Sequence, residues 1–178
     1  MREPLIREVT RALEANGVAF ALIGAVAVAA RGASRETADI DLLTTDSRVL
    51  RFDWSSILTG GAAADARRGE HDDPLAGVIT FSSDTDDPVD LVIGRWKWQT
   101  EAIARAEPMD LGFAVVPVLT AEDLVIAKLD AGGPGDLHDV DRLVEARGES
   151  LIHAVEQRLP DVAEIRDQWR AFRQTWRR

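Results

Sequence analysis

The sequence contains no cysteine and only three histidines among its 178 residues. The absence of cysteine excludes disulfide bonds, thiolate metal sites and a cysteine nucleophile. His71, His138 and His153 show no spacing typical of metal ligands, so we do not expect a histidine-rich zinc site and interpret all three as surface residues. These absences direct attention to the carboxylates as candidates for chemistry.

The sequence also has no apolar run of transmembrane length. Residues 1–8 mix acidic and basic side chains where a signal peptide would need an apolar block. We therefore expect a soluble cytoplasmic protein without a membrane partner.

Positive charge is scarce relative to negative charge, and the formal net charge is −10. This balance argues against a protein whose main task is to coat DNA or RNA, because the average field repels a phosphate backbone. Acidic residues cluster between Glu70 and Asp90, whereas five arginines lie near the end of the sequence: Arg166, Arg170, Arg173, Arg177 and Arg178. We interpret these arginines as a solvated helix face, with contact to RNA or to an acidic partner as the alternative.

Hydrophobic periodicity predicts alternating helices and strands in the first part of the chain. Ile6, Val9 and Leu13 have helical spacing within a predicted helix over residues 2–15, which the Asn16-Gly17 pair should end. The next predicted elements are a strand over Val18–Ile23, a turn at Gly24, a short helix over Val26–Ala30 and a strand that carries Asp39 and Asp41.

The middle of the chain predicts one helix over residues 46–57 and further strands over Ala76–Phe81, Val89–Ile93 and Phe113–Val118. Residues 62–75 are weakly patterned and indicate an irregular strand or an exposed loop. The stretch Gly94–Trp98 is also expected to open a helix that runs to about Ala106. Trp96 and Trp98 cannot share one helix face, so we expect at least one of them to be exposed, in the core-or-interface role typical of tryptophan rather than in base stacking.

Helices dominate the last part of the chain. Thr120 begins a capping-box pattern, and Asp136 is positioned to cap the next helix, with two more helices over Leu151–Leu159 and from Asp161 onwards. The pattern predicts an α/β (α+β) fold, with a core over residues 1–119 and a helical C-terminal portion over residues 120–178 docked on that core.

Asp39 and Asp41 are unusual because aspartate is depleted in strands. The side-chain period of two places both carboxylates on one face of the strand while Ile40 points to the other face. Two neighbouring negative charges favour a divalent cation, and Mg²⁺ prefers such oxygen ligands together with substrate phosphates. Asp90, from a neighbouring predicted strand, could supply a third carboxylate for a second ion and act as a base.

An Asp-x-Asp pattern alone is not specific, since acidic pairs at strand ends are often solvated or cap a turn. Its context is more informative. Gly24-Ala25 lies upstream at the end of the preceding strand, where exposed backbone amides can receive a phosphate, although a plain tight turn would also explain Gly24. Taken alone, Lys128 is better explained as a surface lysine, and Asp136 and Asp139 are first assigned to capping and to pairing on a helix surface.

The arrangement of Gly24-Ala25, the segment Arg35–Asp41 and Asp90 resembles the polymerase-beta-like nucleotidyltransferase superfamily. Within that superfamily, the sequence of residues 22–41 looks most like the small bacterial AbiEii-like nucleotidyltransferases, some of which are toxins of type IV toxin/antitoxin modules. The likeness also covers residues 119–143 and so spans roughly residues 15–145. Ala25 departs from the pattern, because it stands where the family usually has Gly or Ser.

The resemblance implies a minimal nucleotidyltransferase fold, with a mixed twisted sheet flanked by helices. It implies that Asp39, Asp41 and Asp90 are catalytic and bind two Mg²⁺ ions, and that four further residues contact the nucleotide phosphates: Gly24, Ala25, Arg35 and Lys128. The implied reaction moves a nucleoside monophosphate from a nucleoside triphosphate to an acceptor hydroxyl on a protein, an RNA or a small molecule. A cognate toxin or antitoxin is an implied partner. The alternatives are a non-catalytic binding protein or antitoxin on this fold, and an RNA-binding module that uses the arginine-rich end.

Overall fold

The structure, a computed structural model, describes residues 4–33, 39–58, 61–71, 73–112 and 114–176. Its centre is a seven-stranded mixed sheet. The strands are β1 (Phe20–Ile23), β2 (Ile40–Thr44), β3 (Ala63–Arg68), β4 (Leu75–Ser82), β5 (Val89–Gly94), β6 (Glu107–Asp110) and β7 (Val115–Val118).

The strand order across the sheet is β3-β4-β5-β2-β1-β7-β6. β2 runs parallel to β5 and β1 runs parallel to β7, while the other neighbours are antiparallel. This order places β2, which carries Asp41, between β1, which Gly24 follows directly, and β5, which carries Asp90. The topology therefore brings three separate parts of the sequence to one place.

Eight α-helices are described. They are α1 (Leu5–Ala15), α2 (Gly24–Ala30), α3 (Trp54–Ile57), α4 (Lys97–Ala104), α5 (Ala121–Ala131), α6 (Pro134–Arg147), α7 (Glu149–Arg158) and α8 (Ala163–Thr175). The predicted α/β fold is confirmed. In α1, the predicted face of Ile6, Val9 and Leu13 is buried, and the helix stops before Gly17, which has a φ of 64°.

The two faces of the β4–β5 part of the sheet differ in burial. Ile79 and Phe81 on β4 and Leu91 on β5 are fully buried in the core. The alternate residues Val78 and Thr80 on β4 and Asp90 and Val92 on β5 are only half-buried. The face that carries Asp41 and Asp90, here named the carboxylate face, is therefore less covered over β4 and β5 than the core face.

The predicted helix over residues 46–57 is wrong as one element. A 3₁₀ turn over Ser47–Arg51 is capped by Asp46, and the separate single turn α3 is capped by Asp53. Each aspartate side chain accepts a hydrogen bond from a backbone amide, from Arg48 and from Ser56 respectively. Two competing caps seven residues apart explain why the segment breaks into two turns.

Two strands differ from the sequence prediction. The weakly patterned segment 62–75 contains a regular strand, β3, all of whose residues are exposed. β6 was not predicted, because it contains Pro108 and no run of β-branched residues; it forms an edge of the sheet, where proline is tolerated. Gly60 and Phe113, to which the predictions assigned a helix stop and a strand start, lie outside the described residues.

The four last helices follow the sequence pattern closely. Thr120 caps α5, as predicted, and Gly132 ends it with a φ of 66°. α5 packs against α2, α6, α7 and α8, and it contributes a fully buried acid, Asp123, which is held by Arg105 through bonds of 2.7 and 3.1 Å. The expected boundary between residues 119 and 120 stays a prediction. Within the described ranges, every helix is too short or too polar to cross a membrane.

Candidate active site at the start of strands β2 and β5

Asp41 and Asp90 lie side by side in the sheet. β2 and β5 run parallel, and their register pairs the Cα of Asp41 with that of Asp90. Neighbouring strands are about 4.8 Å apart, and paired residues point to the same face. The two carboxylates therefore share one face at the same end of the sheet, as the sequence predicted from separate strands.

Gly24 packs directly against Asp41. The antiparallel register of β1 and β2 pairs Ile23 with Asp41, and Gly24 follows with a φ of 69°. A Cβ atom at Gly24 would overlap the Asp41 carboxylate and would lie 2.8 Å from Asp41 Cγ. Only glycine combines this backbone conformation with this close approach, so the first residue of α2 and the carboxylate pair form one local structure.

The surroundings of Asp41 oppose its negative charge. Burial raises the pKa of Asp41 above its ordinary value, the neighbouring Asp90 carboxylate raises it further, and Lys128 acts in the opposite direction. Asp90 Oδ1 is buried and accepts no hydrogen bond from the residues that the structure describes. A buried carboxylate oxygen without a donor, beside a second carboxylate, is typical of a site that receives a cation.

Asp39 lies one residue before β2 and is exposed, although its charge also raises the pKa of Asp41. The hard oxygen donors of Asp41 and Asp90 and the unpartnered Oδ1 fit a magnesium ion chemically. In the described parts of the chain, however, no three carboxylate or histidine side chains converge closely enough to hold an ion. The structure thus brings two of the three predicted metal ligands together and leaves Asp39 at the rim.

Lys128 is tied to two carboxylates on α6. Its Nζ lies 2.7 Å from Asp136 Oδ1 and 2.9 Å from Asp139 Oδ2. Burial alone would lower the pKa of Lys128, but the hydrogen bonds to Asp136 and Asp139 outweigh burial and raise it. Lys128 is therefore a charged, half-buried residue whose field reaches Asp41, and not the surface lysine that was the alternative interpretation.

The assignment of Asp139 to the helix surface is wrong, because Asp139 is fully buried. Its partner Lys128 comes from another helix, which helical spacing within α6 alone could not indicate. Asp136 does act at the helix start: its Oδ2 accepts a hydrogen bond of 3.2 Å from the backbone amide of Gly133. The helix itself begins at Pro134, three residues earlier than a cap at Asp136 predicted.

Of the remaining predicted site residues, Ala25 is buried in the second position of α2, and Arg35 lies outside the described residues.

The sequence also singled out two tryptophans, three histidines and five late arginines. Trp98 is buried whereas Trp96 is 44% exposed, which agrees with the prediction that they do not share a helix face. All three histidines are exposed, as expected. Three of the late arginines already pair with acids close by, namely Arg166 with Asp161, Arg170 with Asp167 and Arg173 with Glu156.

Sequence reasoning missed two polar residues on the carboxylate face. Thr80 on β4 pairs in register with Asp90, and Asp65 on β3 pairs in register with Thr80. The row Asp41, Asp90, Thr80 and Asp65 therefore crosses four adjacent strands on one face. The signal was absent from the sequence because it depends on the registers of two antiparallel pairs, which spacing alone does not define.

Replacing Gly24 by alanine should lower the free energy of unfolding by about 3 kcal/mol, since a left-handed backbone costs roughly 1–2 kcal/mol and the overlap with Asp41 adds to that cost. Gly17→Ala is the matched control: Gly17 has a φ of 64° but nothing within 4 Å of an added Cβ. We expect about 1 kcal/mol for the control by chemical denaturation. Equal losses for both variants would contradict the close packing of Gly24 on Asp41.

Comparison with solved structures finds the same architecture in several nucleotidyltransferases. The crystal structure of ANT(2″)-Ia in complex with adenylyl-2″-tobramycin matches with a TM-score of 0.54 and 17% identity, covering 96% of this chain and 95% of that one. The solution structure of the same antibiotic-resistance factor gives a TM-score of 0.53 at 17% identity, over 96% and 94% of the two chains. A candidate nucleotidyltransferase from H. pylori matches with a TM-score of 0.52 and 17% identity, over 96% of this chain and 78% of that one.

No protein-family model matches the chain, and the search of curated proteins finds no match. The structural similarities, at 17% identity, show that this chain has the fold of nucleotidyltransferases.

Proposed function

We propose that this protein is a magnesium-dependent nucleotidyltransferase that moves a nucleoside monophosphate from a nucleoside triphosphate to an acceptor hydroxyl. In this reaction the acceptor oxygen forms a bond to the α-phosphorus, the bond from the α-phosphorus to the bridging oxygen breaks, and pyrophosphate leaves. The observation that carries the proposal is the pair of Asp41 and Asp90, in register on parallel strands, with the buried Asp90 Oδ1 lacking a hydrogen-bond donor among the described residues.

Each residue of the site has a role that follows from its position. Asp41 and Asp90 would hold magnesium, with Asp39 as the third carboxylate from the rim. Bound magnesium would supply charge neutralisation at the phosphates. Asp90, whose strand adjoins the less covered part of the carboxylate face, would also accept the proton of the acceptor hydroxyl.

The nucleotide would lie on the other side of Asp41, towards α2 and α5. Gly24 packs against the Asp41 carboxylate, where no side chain would fit, and the backbone amides of Gly24 and Ala25 at the start of α2 would be offered to the phosphates. Lys128 contributes positive charge to the same region, although it is held by Asp136 and Asp139. Ala25 provides no hydroxyl, so a contact to phosphate at this position would come from the backbone alone.

The acceptor would approach over β4, where Thr80 stands next to Asp90. A protein, an RNA or a small molecule could present the hydroxyl. The complex of ANT(2″)-Ia with adenylyl-2″-tobramycin supports a small polyhydroxylated acceptor as the first class to test. A role as one half of a toxin/antitoxin pair, as the resemblance to AbiEii-like proteins implies, would be tested by identifying the product of the neighbouring reading frame.

Transfer can be tested with the four α-labelled nucleoside triphosphates, Mg²⁺ or Mn²⁺, and either tobramycin or fractionated cell extract. We expect label on an acceptor and release of pyrophosphate with at least one triphosphate. The Asp90→Asn variant, with unchanged circular dichroism, should lose both products. Absence of transfer under every metal, together with absence of nucleotide binding, would contradict the proposal.

The second candidate is a non-catalytic binding protein on the same fold. The observation that favours it is the state of Lys128, whose Nζ contacts Asp136 and Asp139 at less than 3 Å and so is occupied by acids. Calorimetry with nucleotide and Mg²⁺ distinguishes the two functions, because a scaffold should bind neither.

A further inference from the structure

β3 is an unprotected edge of the sheet. It is the outermost strand, and the described residues provide no strand on its outer side. All six of its residues, from Ala63 to Arg68, are exposed. It contains no proline or glycine, so its outward amides and carbonyls are available to a further strand.

Symmetry restricts how a second copy could pair with this edge. A two-fold dimer of antiparallel edge strands keeps the carboxylate face of both copies on the same side, so odd-numbered residues must oppose odd-numbered residues. Two such registers pair five residues of each strand. One is centred on Asp65 and pairs residues 63–67, and the other is centred on Ala66 and pairs residues 64–68.

Charge distinguishes the two registers. The register centred on Asp65 places Asp65 against the partner's Asp65, which is repulsive. The register centred on Ala66 places Asp65 opposite the partner's Arg67 twice, once on each side of the axis, and pairs Ala66 with the partner's Ala66. Neither Asp65 nor Arg67 has an ion pair or side-chain hydrogen bond within the described part of the chain, so both charges are available to a partner.

We infer that β3 is a dimerisation edge on which a second copy of this chain docks, antiparallel and centred on Ala66. The two sheets then form one continuous sheet with both carboxylate faces on the same side. Because only five residues of each strand pair, the interface is small, and the dimer should form at protein concentrations on the order of 100 µM. This inference is independent of the proposed activity.

Sedimentation velocity on the full chain, over about 5 to 500 µM, tests the inference through charge reversal. Wild type should show reversible dimers that weaken in 0.5 M NaCl. Asp65→Arg should weaken association at least about tenfold, because the introduced guanidinium would then face the partner's Arg67, and Arg67→Asp should do the same because two aspartates face each other. Circular dichroism checks that each variant remains folded.

The decisive sample is an equimolar mixture of these two variants. In the mixed dimer, one strand carries two arginines and the other carries two aspartates, so both cross-strand pairs are again complementary and dimers should reappear. Two control variants make the same charge changes at exposed positions far along the chain: Asp161→Arg just before α8 and Arg170→Asp within α8. Neither control should change the association. A monomeric wild type at 500 µM, or variants that do not recombine when mixed, would overturn the inference.

Discussion

Asp41→Asn is expected to reduce nucleotidyl transfer by about 10³-fold or more, because a metal-binding carboxylate contributes several kcal/mol to phosphoryl chemistry. The same change should stabilise the protein when EDTA removes divalent metal. Burial and the adjacent Asp90 both raise the pKa of Asp41, so its charged form is less favourable in the folded chain than in the unfolded chain. We expect the unfolding midpoint at neutral pH to rise by about 2 °C or more.

The stabilisation expected for Asp41→Asn should depend on pH. A raised carboxyl pKa in the folded state means that stability falls as the pH rises from the ordinary aspartate value through the raised one. The gain from Asp41→Asn should therefore disappear as the pH falls below about 4, where the wild-type carboxyl is protonated in both the folded and the unfolded chain. Asp161→Asn, at a fully exposed side chain, should change the midpoint at neither pH. A loss of stability in Asp41→Asn at neutral pH in EDTA would contradict the like-charge account.

Lys128→Met should lower the free energy of unfolding by about 3–5 kcal/mol, because it removes a cation that the fully buried carboxylate of Asp139 contacts. Asp139 is 0% exposed, and its Oδ2 lies 2.9 Å from Lys128 Nζ. Methionine retains most of the apolar stem, so the loss reports the charge and not a cavity. Chemical denaturation with a linear extrapolation measures it.

Two further variants separate the buried ion pair from a general effect of removing a lysine. Lys97→Met removes an exposed lysine that pairs with Glu101 at 3.3 Å on one helix, and it should cost less than about 0.5 kcal/mol. Adding Asp139→Leu to Lys128→Met should recover a large part of the loss, since the buried carboxylate that lost its contact with Lys128 is gone. If Lys97→Met and Lys128→Met cost the same, Asp139 does not depend on Lys128.

Much of the site was predictable because its parts are local in sequence. The apolar run before Gly24, the small residues of α2 and the period-two spacing of Asp39 and Asp41 indicate a strand, a turn, a helix and a second strand within 24 residues. Asp90 was recognisable for the same reason as Asp41, as an acid within an apolar strand. The capping pattern at Thr120 likewise predicted the start of α5.

The remaining features depend on contacts between distant segments. The buried Asp139 contacts Lys128, which reaches it from α5, and Thr80 and Asp65 share the face of Asp41 and Asp90 only through two antiparallel registers. β6 pairs with β7 although Pro108 opposes Pro117. Proline is tolerated there because β6 is an edge strand, and its pairing with β7 holds it in the sheet. Tertiary pairing of this kind overrides local propensity, so single-sequence patterns do not contain it.

The central claim is that Asp41 and Asp90 bind a nucleoside triphosphate through magnesium. Calorimetric titration of the wild-type chain with an α,β-methylene analogue of each nucleoside triphosphate, with and without Mg²⁺, tests this most directly because the analogue cannot be turned over. We predict metal-dependent binding to wild type and to Asp161→Asn, and loss of that binding in both Asp41→Asn and Asp90→Asn. Binding that is equal in all four proteins, or absent from wild type with every analogue, would contradict it.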